Sequence, residues 1–223
     1  MDPDRFAQEL PALFEDFPQS KHPRGRRFDD ILREVPNLAE ENVLALINLA
    51  AGLLDPGESY VEAGTYMGAS LIAAARGNGD KDLVALDDFS FPAVEVRGRM
   101  LPPVSRAELE ANLERFETRH ATILEGDALG LLRDGGLDDR RVGAYYYDAS
   151  HSYEDQLEGL RLVEPYLAKR AVLIVDDSDW DDVARATRDY LASQPRARLL
   201  LEISGDEHGQ PWWWDGVMVL AWE

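Results

Sequence analysis

The sequence predicts an α/β protein built on a doubly wound, seven-stranded, mostly parallel sheet with an antiparallel last strand and helices on both faces. Two observations support this fold class. Apolar runs typical of strands alternate five times with helical segments, and the last two strands have no helix between them. In addition, several strands end at a carboxylate, so polar groups collect at the strand ends where open α/β sheets bind ligands.

The first predicted helix begins at Asn37, which can cap it, with Glu40 three residues on and an apolar stripe behind. Asp55-Pro56-Gly57 ends this helix. The next elements are strand 59–63, a glycine turn, helix 69–76, strand 83–86, a loop insertion at 89–105, helix 107–120, strand 121–125 and a short helix at 129–132.

The second half of the chain continues the alternation of strands and helices. Its elements are strand 142–147, a helix at 152–168 capped by Ser152, strand 171–175, helix 182–193 and the final strands 198–203 and 217–222. The turn before the last strand contains Trp212-Trp213-Trp214, which would fill a hairpin core or a dimer contact, or stack on a flat acceptor. We expect residues 37–223 to form the main domain. Residues 1–36, with a basic patch at 21–27, would form a solvated loop or a lid over the acceptor site.

Composition excludes several functions. The 43 acidic and 23 basic residues give a formal charge of −20, which argues against nucleic acid and anionic membranes as partners. The chain has no cysteine, so it has no disulfide, thiol nucleophile or thiolate metal site. It also lacks a long apolar stretch and a signal-peptide pattern, which predicts a cytoplasmic protein.

Carboxylates end two consecutive predicted strands. Asp148 follows one strand, and Asp176 and Asp177 end the next, 28 positions after Asp148. Neighbouring parallel strands lie about 4.8 Å apart, so these side chains should converge. Crowded carboxylates raise one another's pKa unless a cation lies among them, and oxygen ligands favour Mg²⁺ or another hard divalent cation.

A glycine turn follows the first strand, where glycines let a ligand approach the backbone. Its spacing, from Gly64 to Gly68, is G-x-x-x-G and not the dinucleotide pattern G-x-G-x-x-G. Glu62 before the turn suits a cationic amine better than a phosphate. Asp87 ends the second strand, where it could accept both ribose hydroxyls, and Asp127 follows the third, where it could accept from an adenine amino group.

From about residue 40 onward the chain resembles the class I S-adenosylmethionine-dependent methyltransferases, which have a Rossmann-like fold. Residues 61–70 resemble the first cofactor motif of that family. Residues 148–154 and 175–180 resemble the branch of macrocin O-methyltransferase, whose Mg²⁺-dependent enzymes act on sugars of natural products. The spacing is also similar to catechol and caffeoyl-CoA O-methyltransferases, which often carry Asp-Asn where this chain has Asp176-Asp177.

The resemblance implies an S-adenosylmethionine-dependent, metal-dependent O-methyltransferase with a small-molecule hydroxyl acceptor, on a sugar or polyol moiety. The implied catalytic residues are His151, as the base for the substrate hydroxyl, and Asp148. The implied Mg²⁺ ligands are Asp148, Asp176 and Asp177. The implied cofactor contacts are Glu62, Gly64, Thr65, Tyr66, Ser70, Asp87 or Asp88, Asp127 and Asp148. A homodimer is compatible with this kind of enzyme.

Three other functions fit the same fold. A nicotinamide-dependent oxidoreductase would need the missing glycine pattern. A metal-dependent hydrolase would use the carboxylates around an activated water, without a sulfonium donor. A non-catalytic protein would bind the cofactor and tolerate the loss of Asp148.

Overall fold

The computed structural model describes residues 1–205 and 212–223, so part of the predicted turn before the last strand lies outside the described residues. The strands are β1 (Ser59–Ala63), β2 (Asp82–Asp87), β3 (Val94–Val96), β4 (Arg99–Leu101), β5 (Thr122–Glu125), β6 (Val142–Tyr147), β7 (Leu167–Asp176), β8 (Ala197–Ile203) and β9 (Val217–Trp222). Seven of them form one sheet in the order β5-β2-β1-β6-β7-β9-β8. Within this sheet β9 runs in the direction opposite to the other six strands, so the predicted fold class is confirmed.

Helices cover both faces of this sheet. They are α1 (Pro3–Glu9), α2 (Asp29–Glu34), α3 (Glu41–Gly52), α4 (Ala69–Ala75), α5 (Arg106–Arg115), α6 (Ala128–Arg133), α7 (Tyr153–Leu162) and α8 (Asp181–Ser193). Successive residues of a strand point to opposite faces, so neighbours such as Tyr146 and Tyr147 enter separate apolar cores. None of the helices in the described residues is long and apolar enough to cross a membrane.

Three predicted helix boundaries were wrong. The helix predicted from Asn37 begins at Glu41, because the Asn37 side-chain amide donates to the carbonyls of Leu32 and Val35. The helix predicted to reach residue 168 ends at Leu162, before a 3₁₀ turn that contains Pro165, a residue without the N–H that a helix needs. β7 therefore starts four residues earlier than predicted. Helix α5 stops at residue 115 and not at 120.

Residues 1–36 pack against the main domain through apolar side chains, whereas most of the basic patch at 21–27 is exposed. Phe6, Phe14, Phe28 and Ile31 are buried in the core that α3 and α4 share. Trp213 is fully buried there too, and its indole N–H donates to the Pro18 carbonyl at 2.8 Å. This tryptophan fills a core, whereas the function of residues 1–36 as a lid stays a prediction.

The predicted loop insertion contains structure that the sequence did not indicate. β3 and β4 form a two-stranded antiparallel hairpin, separate from the main sheet. Arg97 and Gly98 connect the two strands, and both have positive φ, as a tight two-residue turn requires.

Candidate active site

The glycine turn after β1 is held against the end of β6. Gly64 has φ +84°, and a β-carbon at this position would lie 1.9 Å from the Asp148 carbonyl oxygen. Its N–H donates to the Leu86 carbonyl at 2.9 Å. Only glycine satisfies both the dihedral angle and the space. The turn and the β6 carboxylate therefore border one opening at the carboxyl end of the sheet, which we call the mouth.

The Asp87 carboxylate organises this turn. One of its oxygens accepts from the backbone N–H groups of Thr65 and Tyr66, at 2.8 and 3.0 Å. Its other oxygen accepts from the Phe89 N–H at 2.7 Å. The neighbouring Asp88 is exposed and accepts only from the Ser90 N–H among the described residues. Of the two predicted ribose ligands, Asp87 is the one that lies against the turn.

Glu62 lies beneath the turn and is fully buried. It accepts hydrogen bonds from the Tyr60 hydroxyl at 2.8 Å and the Ser70 hydroxyl at 3.2 Å. Burial raises the pKa of Glu62 to about 7, although these hydrogen bonds favour the ionised form. A cationic amine placed above Glu62 would stabilise the charged carboxylate.

Asp127, the remaining predicted cofactor residue, lies on the protein surface. Asp127 is exposed and caps α6, where its side chain accepts from the Gly130 N–H at 2.7 Å. This helix cap accounts for one of its oxygens and leaves its predicted contact with an adenine amino group untested.

Asp148, His151 and Asp177 form a second group at the mouth, which we call the acidic cluster. The potential ligand atoms of all three lie within 4.8 Å of one another. His151 Nε2 lies 2.9 Å from Asp177 Oδ2 and 3.8 Å from Asp148 Oδ1. Burial lowers the pKa of His151, but the two carboxylates outweigh it and raise this pKa to about 10. The two carboxylates therefore favour the imidazolium form of His151.

Asp176 is buried beside the acidic cluster and is hydrogen-bonded to Tyr146. The Tyr146 hydroxyl donates to Asp176 Oδ2, and it lies 3.2 Å from Asp148 Oδ2. Burial and the nearby charges of Asp148 and Asp177 raise the pKa of Asp176 well above its ordinary value. Burial also raises the pKa of Asp148, with a contribution from Asp177.

The donor set fits a hard divalent cation. Asp176 Oδ1 and Asp177 Oδ1 are buried and accept no hydrogen bond from the described residues. Unpaired buried carboxylate oxygens are costly unless a cation or water satisfies them. Carboxylate oxygens are the ligands that Mg²⁺ prefers. Of the three predicted ligands, Asp148 and Asp177 lie within the acidic cluster, whereas Asp176 adjoins it.

Aromatic groups and strained backbone surround the mouth. The Trp180 ring is 49% exposed and lies 4.7 Å from the His151 ring. Among the described residues, eight that are not glycine have positive φ. Three of them lie at the mouth: Tyr66 and Phe89, which donate to Asp87, and Asp177 of the acidic cluster. Such strain is concentrated at functional sites in proteins, where the surrounding structure maintains it.

Sequence reasoning missed two features of this site. Tyr146 precedes Asp148 by two residues, so both side chains share one face of the strand, and a buried tyrosine hydroxyl needs a partner. That signal was available. Arg97 lies 3.1 Å from Asp215, a residue 118 positions away, and no local pattern indicates such a pair.

The comparisons with known proteins agree with this geometry. Residues 61–178, which include the glycine turn, the acidic cluster and Asp176, match the family described as methyltransferase domain. The chain belongs to this family. The predicted enzyme class, a methyltransferase, is therefore confirmed, whereas the macrocin-like branch is not. A search of curated proteins gives no match.

Solved structures of other methyltransferases share the fold. TomG, an O-methyltransferase of Streptomyces achromogenes solved with S-adenosylmethionine, is 21% identical with a TM-score of 0.61, covering 100% of this chain and 98% of its own. An O-methyltransferase from Bacillus cereus, solved with S-adenosylhomocysteine, is 16% identical with a TM-score of 0.63 and 99% coverage of both chains. CalS11, a TDP-rhamnose 3'-O-methyltransferase of calicheamicin biosynthesis, is 20% identical with a TM-score of 0.57, covering 98% and 94%.

Proposed function

We propose that this methyltransferase is an O-methyltransferase that uses S-adenosylmethionine and a hard divalent cation, Mg²⁺, to methylate a hydroxyl of a small molecule. The observation that carries the proposal is the contact between the glycine turn and β6. The turn at Gly64 and the acidic cluster border the same mouth, so a methyl donor and a hydroxyl acceptor could meet there.

The cofactor side of the mouth would bind the donor. Glu62 would lie near the cationic amine, and Asp87, already fixed by three backbone N–H groups, would accept from the ribose hydroxyls. Thr65 is buried in the same turn, beside Glu62, and would also contact the cofactor. TomG and the Bacillus cereus enzyme, which were solved with S-adenosylmethionine and S-adenosylhomocysteine, support this choice of donor.

Asp148 and Asp177 would hold the cation, with Asp176 adjoining them. When bound, Mg²⁺ lowers the pKa of a coordinated hydroxyl. His151 can accept the hydroxyl proton only in its neutral form, which requires the negative charge of Asp148 and Asp177 to be offset. The acceptor oxygen then forms a bond to the methyl carbon as the carbon–sulfur bond breaks, and the sulfonium leaves as the neutral thioether.

The acceptor class is the least constrained part of the proposal. A sugar or polyol moiety of a natural product is the expected acceptor, and the TDP-rhamnose activity named for CalS11 supports it. Exposed Trp180 beside His151 offers an apolar face to such a ring. A cytoplasmic location and a homodimer are expected with it. The hydrolase, oxidoreductase and non-catalytic alternatives gain no support from the family match.

Calorimetric titration with S-adenosylmethionine, with Mg²⁺ and with chelator, tests the donor. We expect micromolar binding in both conditions, because the cation lies on the acceptor side. Methyl transfer from labelled donor to a panel of sugars and vicinal diols tests the reaction. His151→Ala should lower kcat by about 10²- to 10⁴-fold with unchanged donor affinity. Asp177→Asn should abolish the stimulation of methyl transfer by Mg²⁺.

Asp181→Asn is the matched control, because Asp181 is exposed in the first turn of α8 and only four residues from Asp177. It should behave like the parent protein. Absence of donor binding in both conditions would reject the proposed function. Methyl transfer that is indifferent to chelator would reject its metal component.

A further inference from the structure

The hairpin β3–β4 connects two parts of the mouth that are distant in the sheet. It follows the end of β2, and its tip contacts the segment beside the end of β7. β2 and β7 are three strands apart, a span of about 14 Å at the usual strand spacing. β1 and β6 lie between them, so the hairpin crosses above the glycine turn and Asp148.

The base of the hairpin is fixed to the glycine turn. The Tyr66 hydroxyl donates to the Pro102 carbonyl at 2.7 Å, and the rings of Tyr66 and Phe91 lie 5.4 Å apart. Val104 N–H donates to the Phe91 carbonyl at 3.0 Å and closes the base. These contacts place the hairpin on the cofactor side of the mouth.

The tip of the hairpin is fixed to the opposite side. The Arg97 guanidinium lies 3.9 Å from the centre of the Trp214 ring and 3.1 Å from Asp215 Oδ1. The Asp215 carbonyl in turn accepts from the Asp179 N–H at 2.8 Å, two residues after Asp177. The tip is therefore connected by hydrogen bonds to the segment that follows the acidic cluster.

The two faces of the hairpin differ in exposure. Leu101 is 3% exposed, and its cross-strand partner Val94 is partly buried. Met100, on the other face, is 70% exposed. One face of the hairpin therefore packs Leu101 against the body of the protein, whereas Met100 on the other face is turned to solvent.

We propose that this hairpin is a cover over the mouth and that Arg97, stacked on Trp214 and paired with Asp215, is the contact that keeps it closed. Opening of this contact sets how fast ligands leave the mouth. The ligand part of the inference rests on the proposed function, whereas the closing contact itself does not. A half-exposed ion pair and a cation–π contact are each weak, so a protein can break and remake them readily.

Hydrogen exchange measured by mass spectrometry tests the closing contact without any ligand. Arg97→Ala should accelerate exchange in residues 94–101 by about threefold to tenfold. Arg99→Ala is the matched control: it removes the same charge from the same hairpin, and Arg99 has no described contact. It should exchange like the parent protein. Equal exchange in the parent and Arg97→Ala would overturn the proposal.

Release of S-adenosylhomocysteine, followed by rapid mixing, tests the cover. Arg97→Ala should accelerate release by about threefold to tenfold. The release rate of Arg97→Lys should lie between those of the parent and Arg97→Ala, because lysine keeps the pairing with Asp215 but loses the planar stacking on Trp214. Faster exchange with unchanged release would show that the hairpin does not cover the ligand. Failure of the parent protein to bind this ligand would instead reject the proposed function, and the exchange comparison would still test the contact.

Discussion

The two halves of the mouth use aspartate in opposite ways. On the cofactor side, Asp87 accepts from three backbone N–H groups, and Asp127 caps a helix. On the acceptor side, Asp148, Asp176 and Asp177 are close together, and two buried oxygens of Asp176 and Asp177 lack described partners. The same residue type therefore stabilises the backbone in one half, and in the other it holds negative charge that a cation could neutralise.

The contact between the two halves should be the most sensitive to mutation. Gly64→Ala introduces a β-carbon 1.9 Å from the Asp148 carbonyl oxygen, so the backbone must shift. We expect a loss of about 3 kcal/mol or more in the free energy of unfolding. Urea denaturation measures it.

Gly77→Ala is the control for this prediction. Gly77 has φ +77°, close to that of Gly64, but a β-carbon added there would meet no atom within 4 Å beyond its chain neighbours. The dihedral strain alone should cost about 1 kcal/mol. Equal losses in the two variants would show that the turn does not press on β6.

Buried Glu62 should make stability depend on pH. Its folded pKa of about 7 exceeds the ordinary value of 4.5, so the folded protein retains a proton that the unfolded chain releases. Its contribution is fully present below pH 4.5 and is lost as the pH rises to 7, by about 3 kcal/mol. Asp148 and Tyr60 also face Glu62, so the comparison must be made between variants.

Urea denaturation of Glu62→Gln at pH 5 and pH 8 measures this contribution. Between pH 5 and pH 8 the parent should lose about 2.5 kcal/mol more stability than the Glu62→Gln variant. Glu117→Gln, at an exposed site, should show the parent's dependence on pH. A parent-like pH dependence in Glu62→Gln would mean that Glu62 is ionised in the folded protein throughout.

Tyr146 tests the acceptor side. Tyr146→Phe removes the hydroxyl that donates to Asp176 and lies 3.2 Å from Asp148, so a buried carboxylate oxygen of Asp176 loses its donor. We expect a loss of about 2 kcal/mol in the free energy of unfolding. Tyr145→Phe is the control, because the buried Tyr145 hydroxyl has no partner in the described residues. Its removal should be neutral or stabilising, and similar losses in both variants would contradict the function given to Tyr146.

Much of the fold followed from local pattern in the sequence. The strands of a sheet that is covered on both faces are apolar along their whole length, so they could be recognised as apolar runs. Their alternation with helices predicted a parallel sheet, and the missing helix between the last two strands predicted an antiparallel last strand. Boundaries failed where a side chain had another partner: Asn37 donates to carbonyls behind it instead of capping the helix ahead. The hairpin at 94–101 has only short strands and no alternation long enough to detect.

For the candidate site, the sequence predicted which carboxylates reach the mouth but not how each is paired. Asp87, Asp148 and Asp177 end strands, and topology alone brings them to the mouth. The pairing of Arg97 with Trp214 and Asp215 depends on tertiary contacts between segments more than 100 positions apart. Such contacts have no local signature, so a single sequence could not indicate them.

The most direct test of the difference between the two halves is the free energy of unfolding of Asp87→Asn and Asp176→Asn, measured in urea with chelator present. Asp87→Asn should lose about 2 kcal/mol, because a neutral amide accepts fewer and weaker hydrogen bonds from the three N–H groups. Asp176→Asn should gain about 1 kcal/mol, because it removes a carboxyl group whose ionised form is disfavoured by burial and keeps an oxygen for Tyr146. Opposite signs would support the account. A loss of stability in both variants would contradict it, since the acceptor-side carboxylate would then stabilise the fold in the same way as Asp87.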